Sequence, residues 1–470
     1  MKICIIAEGS YPYVTGGVSS WIQNIAIQMP EHEFIIYAIA AQRKQKGIFK
    51  YTLPSNVVEV KEVFLDAYME DSNKWGQRFN LTKEQKDNVK ALLGASSQMD
   101  WLAFIRMIRS SQFNQVSDFL TSRDFFDILE EVCHERYPLV PFTEMFWAVR
   151  SMILPLFLTI REGIPEADVY HSVSTGYAGV IGVVAKEIYN KPFLLTEHGI
   201  YSREREEEII KADWVKGYFK DLWIQYFYRI SSCAYEHSNQ VVTLFSRNKE
   251  IEMELGCPAE KISIIPNGVN ISDYENLPED KPVDEFWIGA IVRVVPIKDI
   301  KTMIQSFSLI KEMIPSAKFY VMGPYEEDLD YYEECLQLVE ILHVQDVIFT
   351  GSIPIKDYIG RMDVLMLTSI SEGQPLAILE GMAAGKPFVA TNVGSCRELL
   401  EGLDDRIGKA GIIVPVMHYE MLANAVISLY KNRKMCVEMG KNAYERVKTY
   451  YRQRDVITNY RKIYSKLGGE

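Results

Sequence analysis

Three things are scarce in this sequence, and each scarcity excludes a class of function. Positive charge is in deficit: 51 Lys and Arg stand against 63 Asp and Glu, for a net charge of −12 over 470 residues. A nucleic-acid binder needs a basic surface to neutralise phosphates, so that class is excluded. Any anion site must be local, built from a few placed cations and backbone amides. Cysteine is sparse and scattered: Cys4, Cys133, Cys233, Cys257, Cys335, Cys396 and Cys436 form no C-x-x-C pair. An odd, dispersed set reads as reduced thiols of a cytoplasmic protein rather than a disulfide framework or zinc site. Long apolar runs are also missing. The most apolar stretch, 147–160, contains Arg150 and falls short of the roughly 20 residues a membrane span needs. The N-terminal apolar run is a first strand interrupted by Glu8, too short for a signal peptide.

What is present is alternation. A chain of 470 residues exceeds one ordinary core, and a 48% hydrophobic content fills two. Short apolar runs alternate with longer helical patterns, the signature of parallel α/β layering. Strands are expected at 2–7, 33–39, 57–63, 168–173, 192–196, 240–244 and 262–265. A second series begins at 285–292 and continues at 317–322, 346–349, 363–367, 387–390 and 412–414. Two βα series predict two Rossmann-like domains, 1–275 and 276–451, joined near Pro266-Asn267-Gly268 and an acidic stretch at 275–284. One segment, about 65–162, breaks the rhythm. Its Trp101, Phe104, Ile105 and Ile108 recur at helical spacing, which predicts a helical insertion packed as an extra subdomain.

The most informative stretch is Ser371-Glu372-Gly373-Gln374-Pro375-Leu376-Ala377-Ile378-Leu379-Glu380. It follows the strand run at 363–367 and opens a helix with Pro375 near its first turn, where a missing N–H costs nothing. Glu372 is thereby placed in a loop at the carboxyl end of a strand, where open α/β sheets bind ligands. The exposed amides of Gly373, Gln374 and Leu376 make a positive helix terminus suited to a diphosphate. Glu372 and Glu380 bracket it, and carboxylates accept sugar and ribose hydroxyls.

This segment resembles the E-x7-E motif of the retaining GT-B glycosyltransferases of family four, which use nucleotide-sugar donors. Three further motifs agree with it. Gly16-Gly17-Val18 follows the first strand; it is not a G-x-G-x-x-G dinucleotide fingerprint, but paired glycines allow positive φ and a close approach to a phosphate. Arg293 and Lys298 follow the first strand of the second series. Two cations there stabilise the charge that develops on a departing diphosphate. Thr196-Glu197-His198-Gly199 closes another strand, and His171 occupies an equivalent place upstream. The run 202–208 reads as a solvated helix face from which Arg203 or Arg205 could reach a site. Asp328-Leu329-Asp330 mimics a metal-binding D-x-D but opens a helix, where acids suit the macrodipole.

The resemblance implies a GT-B architecture, with two Rossmann-like domains facing a cleft and a terminal helix, 452–470, crossing back to complete the first. It implies that Arg293 and Lys298 contact the donor diphosphate, that Gly16 and Gly17 face it, and that Glu380 holds the ribose. Glu372 then holds the transferred sugar, with His198 near the reacting centre. The donor subsite takes in Gly373, Gln374, Pro375 and Leu376; His171, Arg203 and Arg205 are acceptor or sugar contacts. The whole chain is similar to the glycosyltransferases of Pel-type exopolysaccharide systems. That implies a UDP-sugar donor, a saccharide acceptor, no metal or other cofactor, and an inner-membrane export complex as partner. The expected place is the cytoplasm, including the inner face of the membrane. UDP-glucose, UDP-N-acetylglucosamine and UDP-N-acetylgalactosamine all remain open as donors. A catalytically idle sugar-nucleotide scaffold and a UDP-sugar isomerase are the competing readings.

Overall fold

The computed structural model describes residues 1–66, 75–94, 99–403 and 405–469. It separates into two compact units. The first holds Met1–Thr243, Asn248–Ile264 and Arg461–Glu470; the second holds Leu244–Arg247 and Ile265–Tyr460.

In the first unit the strands are β1 (Lys2–Glu8), β2 (Glu33–Ala40), β3 (Val57–Phe64), β4 (Val169–Ser172), β5 (Phe193–Glu197), β6 (Gln240–Thr243) and β7 (Ile262–Ile264). They form one parallel sheet in the order β3-β2-β1-β4-β5-β6-β7. Strands covered on both faces read as unbroken apolar runs, and the buried stretch Ile3, Cys4, Ile5, Ile6, Ala7 is one. The second unit has β8 (Phe286–Ile291), β9 (Ala317–Met322), β10 (Val347–Gly351), β11 (Val364–Leu367), β12 (Phe388–Thr391) and β13 (Gly411–Val414). These too are parallel, in the order β10-β9-β8-β11-β12-β13. In each sheet the order reverses beside the first strand, between β1 and β4 and between β8 and β11. Such switch points open a crevice at the strands' carboxyl ends.

Two boundaries differ from those expected. The segment after Ile264 belongs with the second unit rather than ending the first at 275. Its backbone explains why: the Val269 amide donates to the Tyr451 carbonyl at 2.8 Å, and the Gln453 amide to the Val269 carbonyl at 3.0 Å. The terminal helix, Gln453–Gly468, groups with the first unit only from Arg461. There Arg461 pairs with Glu31 at 2.6 Å, and the Tyr464 hydroxyl meets His171 Nδ1 at 2.7 Å.

The expected insertion is helical where it is described: Lys83–Leu92, Trp101–Arg109, Val116–Leu120, Arg123–Arg136 and Phe142–Arg161. Residues 67–74 and 95–98 lie outside the described part. Asp100 caps the second helix by accepting from Ala103 N at 2.9 Å, and Trp101, Phe104, Ile105 and Ile108 are buried as their spacing predicts. These helices do not make a core of their own. Phe104, Phe119 and Phe157 join one hydrophobic cluster with Cys4, Ile6 and Tyr37 of the sheet. The apolar stretch at 147–160 belongs to the longer helix Phe142–Arg161, whose 20 residues are long and apolar enough to cross a membrane by length and composition. Here Val149, Met152, Ile153, Leu156 and Phe157 of that helix are packed into the core.

Candidate functional site

In the second unit, two loops at the switch point carry the expected donor residues. The first leaves β8. Arg293 is half exposed and donates from one guanidinium nitrogen to both oxygens of Glu327, at 2.6 and 2.5 Å. Lys298 ends the short turn Pro296–Lys298 and is ion-paired to Glu372, which leaves β11 on the second loop. Both side chains are largely withdrawn from water, at 18% and 11% exposure.

The end of β11 stitches these loops together. Thr368 Oγ1 donates to the carbonyls of Lys298 and Asp299 at 2.9 and 3.0 Å, and the Ile370 amide donates to Ile297 O at 2.9 Å. Ser369 Oγ donates to Glu372 Oε1 at 2.5 Å, while Thr391 Oγ1 holds the Ser369 carbonyl at 2.8 Å. Asp299, in the left-handed region at φ 49°, caps the next helix by accepting from Thr302 N. Gly394 lets the backbones close up: a Cβ there would lie 2.2 Å from the Gly373 carbonyl oxygen. This hydrogen-bonded frame surrounds the two charged side chains.

Pro375 is the N-cap of the helix Leu376–Ala383, so the helix opens where the proline predicts. Gln374 turns its side-chain oxygen to the Asn267 amide at 2.5 Å. Glu380 lies half-buried in the helix. Burial raises its pKa, and a hydrogen bond from Tyr274 and the charge of Lys356 oppose that rise. Asp328 of the D-x-D look-alike caps its helix by accepting from Tyr331 N at 3.0 Å.

In the first unit, a cavity of about 480 Å³ lies at the carboxyl ends of β1, β4 and β5. The pairing of Ile6 with Ser172 brings the end of β1 beside the residues after β4. Glu8, which closes β1, accepts from the Tyr201 hydroxyl at 2.9 Å and from the Ala178 amide at 3.1 Å. Burial raises its pKa, and those two donors together with Arg205 work against the rise. The glycine after His198 has a steric reason: a Cβ at Gly199 would lie 2.1 Å from Glu204 Oε1. His198 lines the cavity edge-on to Trp21, at 4.9 Å between ring centres. Burial lowers its pKa to about 4, so it is neutral at pH 7.

The other expected residues of this unit divide. Arg205 lines the cavity over the Tyr201 ring and pairs with Glu208 at 2.8 Å. Burial works against its cation, yet Tyr201, Glu208, Glu8 and Glu204 hold its pKa above the usual value. Arg203 instead pairs with Glu254 at 3.7 Å and is not part of the lining. His171 is buried with Nδ1 on the Tyr464 hydroxyl and Nε2 on Thr196 Oγ1, at 2.7 and 2.8 Å. Its pKa falls to about 3, chiefly by burial, and it holds the terminal helix to the sheet rather than facing the cavity. Gly16 and Gly17 do not adopt the positive φ expected of them. Gly16 is extended at φ 168°, caps the helix Gly17–Gln28, and has open space where a side chain would be. Nor is the run 202–208 simply a solvated face, because Glu204 and Arg205 turn inward to the cavity. Glu8, Ser10, Ser174, Tyr201 and Tyr274 are additions the motifs did not reveal. The one sequence signal for Glu8 was an acid closing an otherwise apolar strand.

Residues 1–260 match a family described as a domain of unknown function, DUF3492. The chain belongs to the DUF3492 family. Residues 275–446 match the group 1 glycosyl transferases, so the second unit carries that domain. Among curated proteins, the chain is 29% identical over 235 residues to N-acetyl-alpha-D-glucosaminyl L-malate synthase of Bacillus anthracis, covering 49% of this chain and 58% of that one. It is 25% identical over 296 residues to the Escherichia coli UDP-Gal:alpha-D-GlcNAc-diphosphoundecaprenol alpha-1,3-galactosyltransferase, covering 60% of this chain and 70% of that one. The match to the first thus spans less than two thirds of its length. Among solved structures, HepE of Anabaena, in complex with UDP and glucose, superposes with a TM-score of 0.61 at 17% identity, covering 99% of this chain and 100% of that one. That likeness bears on the fold: this DUF3492 member has two parallel-sheet, Rossmann-like units of the kind found in GT-B neighbours.

Proposed function

We propose that this protein is a retaining glycosyltransferase that moves a hexose from a UDP-sugar to a saccharide acceptor, in Pel-type exopolysaccharide synthesis. The observation that carries the reading is the pairing of Lys298 with Glu372 at the β8/β11 switch point of the group 1 domain, with Arg293 on the adjoining loop. The Escherichia coli relative, an alpha-1,3-galactosyltransferase, supports the same class.

The chemistry follows from charge. As the glycosidic bond breaks, negative charge grows on the nucleoside diphosphate and positive charge on the sugar. Arg293 and Lys298 stabilise the first more strongly in the transition state than in the bound donor. For that role the diphosphate competes with Glu327 for Arg293 and with Glu372 for Lys298. A Glu372 released from its ion pair is then available to the sugar hydroxyls. Glu380, held by Tyr274, accepts the ribose hydroxyls, and the amides opening the helix at Leu376 face phosphate oxygens. The diphosphate charge is met by these groups without a metal ion. The first unit's cavity, with His198 and Arg205 in its wall, receives the acceptor. The working place is the cytoplasm beside a membrane export complex.

The test is a donor panel. Purified protein is incubated with UDP-glucose, UDP-N-acetylglucosamine or UDP-N-acetylgalactosamine and a saccharide acceptor. UDP release, product mass and the anomeric proton coupling of the product are then measured. One donor should give an α-linked product from its α-configured sugar. Donor binding without turnover would instead establish a scaffold, and an acceptor-independent new UDP-hexose an isomerase.

A further inference from the structure

We propose that Glu197 is a positioning residue: its side chain closes the loop His198-Gly199-Ile200 and so fixes where His198 enters the wall of the first unit's cavity. This rests on the transferase reading above, in which that wall meets the acceptor. Glu197 ends β5, paired in register with Thr243, and is buried at 1% exposure. A buried carboxyl is costly unless it is hydrogen-bonded, and this one is bonded on both oxygens. Oε1 accepts from the Tyr201 amide at 3.0 Å and from the Thr175 hydroxyl at 3.1 Å. Oε2 accepts from the Tyr235 hydroxyl at 2.5 Å. The Ser231 hydroxyl lies 3.0 Å from Thr175 Oγ1 and supports it.

The bond to Tyr201 closes the loop. The helix Tyr201–Lys211 has Ile200 at its N-cap, a residue with no side-chain acceptor. Glu197 reaches across the loop to satisfy the first helical amide instead, and a carboxyl there also suits the macrodipole. The loop is therefore anchored at both ends, by the strand before it and by the Glu197 side chain after it. His198 is its first residue and stands edge-on to Trp21 in the cavity wall. At the far end the same bond holds Tyr201, whose hydroxyl donates to Glu8 at 2.9 Å and whose ring centre lies 5.3 Å from the Arg205 guanidinium. One buried carboxyl places His198, Tyr201 and, through the Tyr201 ring, Arg205.

The two oxygens have different duties. Burial pushes the carboxyl up to about 7, with its three donors working against the rise. When a proton is bound it belongs on Oε2. The Tyr201 amide facing Oε1 can only donate, whereas the Tyr235 hydroxyl can turn from donor to acceptor. Oε1 and the loop are then alike in both protonation states. Glutamine reproduces the protonated form, with its carbonyl oxygen toward Tyr201 and its NH2 toward the Tyr235 oxygen. Methionine keeps the length of the side chain but offers only a weak acceptor.

NMR of the full-length protein labelled with ring-13C histidine, beside steady-state kinetics on the donor that turns over, tests this; His198→Gln assigns the signal. Glu197→Met should shift and broaden the His198 signal while leaving those of His343 and His418, in the second unit, in place. It should lower kcat by about 10- to 100-fold, the effect of displacing a group by roughly 1 Å. The KM for UDP-sugar should stay within about twofold, since the proposed donor contacts lie in the second unit. Glu197→Gln should rescue both the signal and most of the lost turnover. A folded Glu197→Met variant with a wild-type His198 signal or wild-type kcat overturns the inference, and so does a Glu197→Gln variant as impaired as Glu197→Met. Hydrogen exchange on the unmodified protein needs no variant: the Tyr201 amide should be protected although it opens its helix, and exchange as fast as a free amide also overturns the inference. If no donor turns over, the transferase reading fails by itself, and the His198 signal and the Tyr201 amide still decide the role of Glu197.

Discussion

The Lys298–Glu372 pair invites a double-mutant cycle, because it should matter to both stability and turnover. Lys298→Ala leaves a Glu372 carboxylate that is 11% exposed, with the Ser369 hydroxyl still donating to it. Removing one partner from a fully buried pair costs roughly 3–5 kcal/mol. Here Lys298 keeps 18% exposure and Glu372 11%, so water and Ser369 recover part of that, leaving about 2–3 kcal/mol. Glu372→Gln, which faces an ammonium with an amide, should cost less. The double variant should recover about 1–2 kcal/mol relative to the sum of the singles, since it removes the stranded charge. A chain of two units need not unfold in one step. Hydrogen exchange under denaturant, read on peptides from β8 and β11, reports the second unit by itself.

Turnover supplies the second axis. If Lys298 meets the leaving diphosphate, Lys298→Ala should lower turnover by about 30- to 1000-fold, or roughly 2–4 kcal/mol. Saturating UDP should also shrink the stability coupling, because phosphate oxygens compete for the ammonium. Additive stabilities within about 0.5 kcal/mol would refute the buried pair. A persistent coupling with near-normal kinetics would refute the catalytic assignment while leaving the pair intact.

The two glutamates of the motif should behave differently: Glu380→Gln should weaken UDP and UDP-sugar alike, raising KM, whereas Glu372→Gln should spare UDP affinity and lower kcat. Calorimetric titration with UDP checks this, and the opposite pattern would reverse their roles. Chelation with EDTA should leave donor turnover unchanged, and complete loss restored by manganese would contradict metal independence. Stability should fall as pH rises from about 4.5 to about 9, because burial holds the Glu252 carboxyl up at about 9 and the Glu197 carboxyl at about 7. From about 4.5 up to its folded value, about 7 for Glu197 and about 9 for Glu252, each carboxyl holds its proton longer in the folded state, so it tilts stability downward by up to about 1.4 kcal/mol per pH unit. Glu252→Gln should flatten that slope in denaturant midpoints measured at pH 6 and pH 9; a slope unchanged from wild type would exclude Glu252 as its source.

Legibility followed the length scale of the interaction. The central strands were readable, because a strand covered on both faces must be apolar along its length, as Ile3–Ala7 and Val364–Leu367 are. The loops after β8 and β11 were readable for a related reason. A parallel strand delivers the residue after its last apolar position to the ligand side, so Arg293, Lys298 and Glu372 announce themselves by where they follow a run. What could not be read depends on a partner distant in sequence. His171 and His198 both follow or close strand runs, yet Tyr464 engages one and leaves the other to the cavity wall. No local pattern around His171 encodes a tyrosine in the terminal helix.

The acidic run at 202–208 shows the same limit from the other side. On an isolated helix Glu204 and Arg205 are indistinguishable from solvated neighbours. Gly199 removes the side chain that would exclude the Glu204 carboxylate, and Tyr201 presents its ring to the Arg205 guanidinium and its hydroxyl to Glu8. The glycine that ends Thr196-Glu197-His198-Gly199 is therefore what admits an acid to the cavity. If that steric account holds, Gly199→Ala must displace Glu204, because 2.1 Å is far inside van der Waals contact. Gly199→Ala should therefore speed amide hydrogen exchange in the helix Tyr201–Lys211 that carries Glu204, and exchange unchanged from wild type would refute the steric account. A glycine substitution that loosens that helix would tie the backbone after His198 directly to the placement of an acid in the cavity wall.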